Sequence, residues 1–411
     1  MPKNQLISHM KKLFILSFFL LISTEALTQV YYPGKWGDWQ SKTANEVGMD
    51  QAKLDAAIQY IKSTETTNPR SMEENHYGTF GREPYGYGIG PFKDRGEQTG
   101  IIIKDGYIIA EWGEPFRVDM THSVTKTFLS SVVGIAYDKG LIRDVNDQVD
   151  MYMAPLYPMA FDDNANKADN FKSAKVMEPF KGRHNSKITW DHLLRQTSDW
   201  EGTLWGKPDW ADRPDRDRTT WLTRERNEPG AVYEYNDVRV NILALAIMNV
   251  LRTPLPEVLR NEMMDPIGAS PTWRWMGYEN SWVIIDGQPM QAVSGGGHWG
   301  GGMFISARDQ ARLGLLTLRR GKWEDRQILS EEWVTMALTP TPVKKDYGFM
   351  NWFLNTDKER LPDAPESSFF HLGAGTNMVY CDPENDLIIV TRWVKSSEMN
   401  NIVAKVIEAI D

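Results

Sequence analysis

Thr121-His-Ser-Val-Thr-Lys-Thr-Phe-Leu-Ser-Ser-Val-Val-Gly-Ile-Ala136 is the stretch on which the reading of the chain turns. Ser123 and Lys126 are spaced so that a helix puts them on one face. A serine hydroxyl is a weak nucleophile until a neighbouring base takes its proton, and a desolvated lysine can be that base. A helix starting at Ser123 would also aim its unpaired N-terminal amides at developing negative charge. The spacing alone does not specify chemistry, because Ser8-His-Met-Lys11 has it too. The residues after Lys126 make the difference. Phe128, Leu129, Val132, Val133, Ile135 and Ala136 describe a mostly apolar, buried helix, and a lysine near its start needs a reason.

The chain has 411 residues, enough for one large domain or two intimate ones. Its 41% hydrophobic and 25% charged residues are ordinary for a globular protein. A net charge of -9 argues against nucleic acid as the main partner and leaves no basic membrane patch. Of 16 tryptophans, Trp200, Trp205, Trp210 and Trp221 fall in a polar stretch. There they either line a substrate cleft or pack a loop-rich segment.

Lys11-Lys12, the apolar run Leu13 to Ile22 and the small residues after it read as a signal peptide over 1–28. Cleavage is expected near Ala26 or Thr28, leaving one domain over 29–411 with no stable membrane insertion. Cys381 is the one cysteine, so no disulfide can form within the chain. Export without disulfides suits a bacterial periplasm or the exterior.

Along the chain, Val47 to Lys62 has helical spacing, and Ser71 to Glu97 reads as a long surface loop. Thr99 to Trp112 is a hairpin turning at Lys104-Asp105-Gly106. Gly140 to Ala154 reads as a turn and a short helix, and Phe161 to Ser186 as irregular. Helices are expected at Ile188 to Gln196 with Thr189 as N-cap, at Asn241 to Arg252 and at Leu255 to Met264. Ala307 to Arg319 is amphipathic. Asn377 to Cys381 and Leu387 to Trp393 are strands, and Ile402 to Ile410 is a closing helix. Strands thus sit near both ends and helices fill the middle, with no βαβ alternation. The expected class is α+β: an antiparallel sheet from about 29–140 and 295–411, flanked by helices, with a mainly helical part over about 141–294. The seam between these parts is where a site belongs.

A serine–lysine site also needs a proton relay and donors for an oxyanion. Tyr235, in Glu228-Pro-Gly-Ala-Val-Tyr-Glu-Tyr-Asn-Asp237, is either that relay or a structural tyrosine. In His371-Leu-Gly-Ala-Gly-Thr-Asn377, small residues let a substrate approach the backbone. His371 there either binds a carboxylate or carbonyl or is a hydrogen-bonded strand histidine. His298 and Trp299, inside the glycine run 295–302, either reach the site or form a tight turn. No HExxH or close His-x-His spacing supports a metal, no cofactor is expected, and no Gly-x-Ser-x-Gly supports an α/β-hydrolase.

Together these segments resemble the serine β-lactamase and penicillin-recognising superfamily, in particular the class C β-lactamase-related serine hydrolases. That branch includes esterases, D-amino-acid peptidases and 6-aminohexanoate-dimer hydrolases. Ser123-Val-Thr-Lys126 matches the nucleophile motif, Pro229-Gly230 with Tyr235-Asn-Asp237 the Tyr-x-Asn segment, and His371-Leu-Gly373 the Lys/His-x-Gly strand. Ile188 to Ser198 and Gly300 to Asp309 are similar to two further stretches of the family, all in its order. The resemblance implies a β-lactamase/transpeptidase-like fold and an acyl-enzyme at Ser123, with Lys126 and Tyr235 sharing acid and base work. It implies an oxyanion hole from the amides of Ser123 and Ala374, beside Gly373. Two departures stand out. Asp237 replaces the usual asparagine, and a carboxylate cannot donate to a substrate carbonyl unless protonated. It can instead pair with Lys126. His371 replaces lysine, removing the fixed charge for a β-lactam carboxylate. The expected function is a secreted serine hydrolase of an ester or small amide. A β-lactamase or D,D-peptidase, and a non-catalytic binding protein on the same fold, are the alternatives.

Overall fold

Two apolar runs from opposite ends of the chain, Thr99–Lys104 (β1) and Leu387–Arg392 (β11), lie side by side and antiparallel, with Ile102 opposite Ile389. Both are buried almost throughout, as expected of strands covered on both faces. This computed structural model describes residues 30–159, 176–296 and 298–411. The expected leader and much of the polar stretch after Phe161 lie outside the described residues.

The first hairpin joins β1 to Tyr107–Trp112 (β2), and Asp105 and Gly106 both take the positive φ that a two-residue turn needs. On the other side of β11 come Asn377–Asp382 (β10), Phe369–Gly373 (β9) and Phe353–Leu354 (β8). The sheet order is β8-β9-β10-β11-β1-β2, with every neighbour antiparallel. Helix Ala307–Leu318 packs on β10, β11 and β1. Near it, Arg392 reaches from the edge of β11 to the carbonyls of Ile305 and Met120 and ties the sheet to its neighbour.

A second antiparallel sheet was not anticipated. Asp119–Met120 (β3), Gly302–Ile305 (β7), Arg274–Ile285 (β5) and Tyr157–Pro158 (β4) follow one another across it, and Gln288–Val293 (β6) pairs with β5. The 141–294 stretch therefore carries a long hairpin as well as helices. Its turn is Asp286-Gly287, again with positive φ at both residues. This is the same Asp-Gly signal as in the first hairpin. The polar Glu279-Asn280 interruption inside β5 breaks the alternation that marks a strand.

Other departures bear on the site. Ser71 to Glu97 is not all loop, since Met72–Gly78 is a helix capped by Ser71. The helix expected from Asn241 starts earlier and spans Asp237–Leu251, because Asn236 caps it by accepting from the Arg239 amide. That places Asp237 in its first turn, where a carboxylate suits the helix dipole. Thr189 caps Trp190–Leu194 as expected. Among the described residues no single helix is long and apolar enough to cross a membrane.

Residues 199–234 carry little regular structure and are held by charge. Asp199 accepts from Arg239 at 2.5 Å, Arg224 at 2.5 Å and the Asn227 amide at 2.7 Å. Arg226 joins Asp209 at 2.5 Å. Burial alone would raise the Asp199 carboxyl, but Arg224, Arg239 and the Asn227 amide bring it down to about 2. A depressed carboxyl stabilises the fold above its ordinary value of 3.8, and the contribution fades as pH falls towards about 2. Asp199→Asn should cost about 1–3 kcal/mol near neutral pH, because Arg239 then keeps only Glu234 at 2.9 Å and Asp209 at 3.3 Å. The gap between variant and wild-type thermal midpoints should narrow below about pH 4. A gap unchanged over that range would count against the charge network.

Candidate active site

The nucleophile turn is built from a short 3-10 turn, His122–Val124, that runs into helix Thr125–Asp138. The α-helix thus begins two residues after Ser123. His122 sits at φ 50°, so the chain bends sharply just before Ser123. Three contacts fix this bend. Thr121 N–H donates to the Met303 carbonyl at 2.9 Å, Met303 N–H donates to Thr125 Oγ1 at 3.0 Å, and Gln310 donates to Thr121 Oγ1. From the sheet side, Asn351 Nδ2 donates to the carbonyls of Ser123 at 2.9 Å and Leu372 at 2.7 Å. Asn351 clamps the nucleophile turn to β9, a role that no sequence motif signalled.

Lys126 Nζ lies 2.9 Å from Ser123 Oγ and 2.6 Å from Asp237 Oδ1. The lysine side chain is wholly buried, whereas Ser123 is partly open. The Tyr235 ring faces the ammonium at 4.8 Å from its centroid. Burial alone would push Lys126 down, but Asp237 and Tyr235 reverse this and hold it above its ordinary value. The expected Asp237–Lys126 pairing is thus what the structure contains, and it keeps the lysine charged.

Asp237 is the hub. Its second oxygen meets His298 Nδ1 at 3.0 Å and Arg213 Nη2 at 3.2 Å, and its own amide donates to Asp212. Burial works against this carboxylate, but Lys126, Arg213 and His298 hold it well below the usual range. Arg213 also binds Asp212 at 2.7 Å and stacks between the rings of Tyr235 and Phe80. Asp212 goes the other way: burial raises it, and Asp237 adds to the rise against Arg213 and His298. His298 Nε2 meets Glu83 Oε2 at 3.0 Å. Burial opposes charge on this ring, but Asp212, Asp237 and Glu83 push it up to about 9.

Of the two readings of His298, the structure shows the one that reaches the site; Trp299 is buried beside it. Glu83 arrives from the stretch expected to be surface loop, and Asp212 and Arg213 from the polar segment before Tyr235. The charge-rich run Asp212 to Arg218 was the only sequence sign of them. Glu83, Asp212 and His298 bring three possible metal-ligand atoms within 4.8 Å of one another. Each histidine nitrogen nevertheless faces a carboxylate oxygen at 3.0 Å, and Arg213 adjoins them, which is the arrangement of an ion-paired imidazolium.

The strand residues divide. Gly373 abuts the nucleophile turn: a Cβ there would lie 2.1 Å from the Thr121 carbonyl and 3.0 Å from the Ser123 amide. The strand end thus packs on the Ser123 turn, next to which the family resemblance puts the Ala374 amide. His371 does not join them. It points into the core, with Nε2 3.3 Å from Thr317 Oγ1 and Nδ1 3.3 Å from the Asn351 carbonyl. Burial pushes its ring down to about 4, so it is neutral and supplies no charge for a substrate carboxylate. His371 as a substrate-binding residue is corrected on this ground: Trp352 and Phe369 enclose it on the inner face of β9. The tryptophans divide as well. Trp200 and Trp205 are core, while Trp210 and Trp221 stack at 5.4 Å and line a cavity of about 310 Å³ that shares Asp212 and Arg213 with the site.

A serine, lysine and tyrosine joined in this way, at the edge of an antiparallel sheet flanked by helices, define a β-lactamase-fold serine hydrolase. The sequence pattern of the Beta-lactamase family matches residues 117–396, and the chain belongs to that family. Solved structures agree on the fold. A protein from Bacillus anthracis provisionally assigned as a 6-aminohexanoate-dimer hydrolase superposes with a TM-score of 0.54 at 14% identity, over 92% of this chain and 88% of its own. EstCE1, a hydrolase with promiscuous acyltransferase activity, gives 0.52 at 14% identity over 87% and 98%. A beta-lactamase/D-alanine carboxypeptidase from Pseudomonas syringae gives 0.53 at 12% identity over 88% and 99%. No curated protein sequence matches.

Gly296 lies against the ion pair, where a Cβ would sit 2.3 Å from Lys126 Nζ and 3.1 Å from Asp237 Oδ1. Gly296→Ala must therefore displace the ammonium from Ser123. Acylation should slow by roughly a hundredfold, as read by the labelling rate with a fluorophosphonate probe, and the thermal midpoint should fall because the buried Lys126–Asp237 pair is disturbed. Labelling at the wild-type rate would show that the Lys126 position is not critical.

Proposed function

We propose that this chain is an exported serine hydrolase that forms an acyl-enzyme at Ser123 with an ester or small amide. The observation that carries the reading is Lys126 Nζ, wholly buried and 2.9 Å from Ser123 Oγ, with Tyr235 against it. Ser123 Oγ attacks the substrate carbonyl while its proton passes to the Lys126–Tyr235 pair. The amides of Ser123 and Ala374 hold the resulting oxyanion. As it collapses, the carbon–leaving-group bond breaks and the pair returns the proton to the leaving group. Water then attacks the ester on Ser123, giving its proton to the same pair, and the free acid leaves as Ser123 is reprotonated.

Preference for a neutral or cationic substrate follows from the matched charges. Arg213 is engaged by Asp212 and Asp237, Lys126 by Asp237, and His371 is buried and neutral. No cation of this cluster is left over for a substrate carboxylate, which disfavours a β-lactam or a D,D-peptide. The exported location rests on the N-terminal leader read from sequence.

Intact-mass analysis after treatment with a fluorophosphonate should show one adduct on the wild type and none on Ser123→Ala. Failure of several activated esters and probes to modify the wild type would remove the enzymatic reading. Among p-nitrophenyl esters, D-amino-acid amides and nitrocefin, turnover should be found with the first two classes and be close to nil with nitrocefin. Efficient nitrocefin hydrolysis would restore the β-lactamase reading.

A further inference from the structure

Ser123, Lys126, Asp237, His298 and Glu83 form one line of contacts, with successive separations of 2.9, 2.6, 3.0 and 3.0 Å. We infer that His298, as an imidazolium, is a positioning residue that offsets the second oxygen of Asp237 and so lets the Lys126–Tyr235 pair take the serine proton. The inference rests on the acyl-enzyme reading. A carboxylate in place of an amide next to Lys126 would by itself bind the ammonium proton too tightly for base chemistry. His298 and Arg213 share that carboxylate from the other side.

The groups facing His298 are few and belong to separate segments. Glu83 comes from the stretch after Met72–Gly78, Asp212 at 3.4 Å from the polar segment, and Asp237 from the start of its helix. His76 acts on it through space, and the rings of Phe80 and Trp299 cover its faces at 4.4 and 4.3 Å. With Lys126, Arg213 and His298 charged, three cations meet the carboxylates of Glu83, Asp212 and Asp237. Neutral histidine leaves one negative charge in excess beside Lys126. Lys126 then holds its proton to higher pH.

The test is kcat/KM of the full chain on an activated p-nitrophenyl ester, from about pH 5 to about pH 10. His298→Gln should move the acid limb upward by about one pH unit. Asp237→Asn should move it downward. Added to Asp237→Asn, His298→Gln should shift the limb by less than half of its effect in the wild type, because the route through Asp237 is gone. A purely structural ring would lower activity and thermal midpoint without moving the limb, and that result would overturn the inference. A limb moving downward in His298→Gln would do the same. NMR titration of the wild-type ring gives a check independent of any variant. Charge retained through neutral pH is expected, and a neutral ring at pH 7 would overturn the proposal. Loss of activity in EDTA with recovery on zinc addition would overturn it too, by showing a metal at Glu83, Asp212 and His298. A wild type that is never acylated removes the acyl-enzyme reading and this inference together, whereas an unmoved limb in an active enzyme removes this inference alone.

Discussion

The buried contact between Lys126 and Asp237 is the constraint around which the site is organised. Bringing an ammonium and a carboxylate out of water costs several kcal/mol per ion, and their attraction repays this only with good geometry and further partners. At 2.6 Å the two charges are close, although the ammonium approaches Asp237 Oδ1 outside hydrogen-bond angles. The further partners are what shape the surroundings. Asp237 needs a second set of donors, which Arg213 and His298 supply. Those two cations in turn need Asp212 and Glu83. The backbone has to pass close enough to seal the pair from water, which is why a glycine stands at 296. One ion pair thus determines the residue types at five other positions.

The same pair also separates this site from the pattern its family resemblance implies. An asparagine in that place can donate to a substrate carbonyl, and an aspartate cannot. The loss is local, because the contact of Gly373 with the backbone of the Ser123 turn does not involve the side chain at 237. What changes is the balance on Lys126. Its ammonium is held by a full negative charge, so the proton affinity of the nucleophile's partner depends on what else draws on that carboxylate.

Much of this architecture was legible. The alternation and apolar runs of β1, β2, β10 and β11 placed the central sheet, and Ser123, Lys126, Tyr235 and Gly373 fell where motif order put them. The unread parts have physical reasons. The β5–β6 hairpin was hidden because Glu279-Asn280 interrupts its period, although its Asp-Gly turn is the signal that located the first hairpin. His371 was misplaced because a motif position does not say which face of a strand a side chain takes, and β9 turns it towards Thr317. Glu83, Asp212 and Arg213 belong to charge-rich loops, where a residue that is buried on folding has the same local sequence as a solvated one. His298 was ambiguous for a related reason. Glycines on both sides of it are compatible with a turn and with a backbone packed against charge, and only the neighbours decide between them.

The assembly of the cluster also explains why loops with little regular structure keep one arrangement. Its members come from five separate segments: the Met72–Gly78 exit, the polar stretch before Tyr235, the Asp237 helix start, the glycine run and the nucleophile helix. The polar stretch brings Asp212 and Arg213 as a matched pair, while each of the other four brings a single ion that needs a partner from elsewhere. If any one is withdrawn, a buried ion loses its match, at a cost of about 3–5 kcal/mol. Partial sets are therefore disfavoured relative to the complete one. The Asp199–Arg239 network applies the same logic to the outer part of the 199–234 segment, one step further from the serine. Charge matching then does for these loops what apolar burial does for the sheet. It makes the environment of Lys126 a property of the whole seam and not of the Ser-x-x-Lys motif alone.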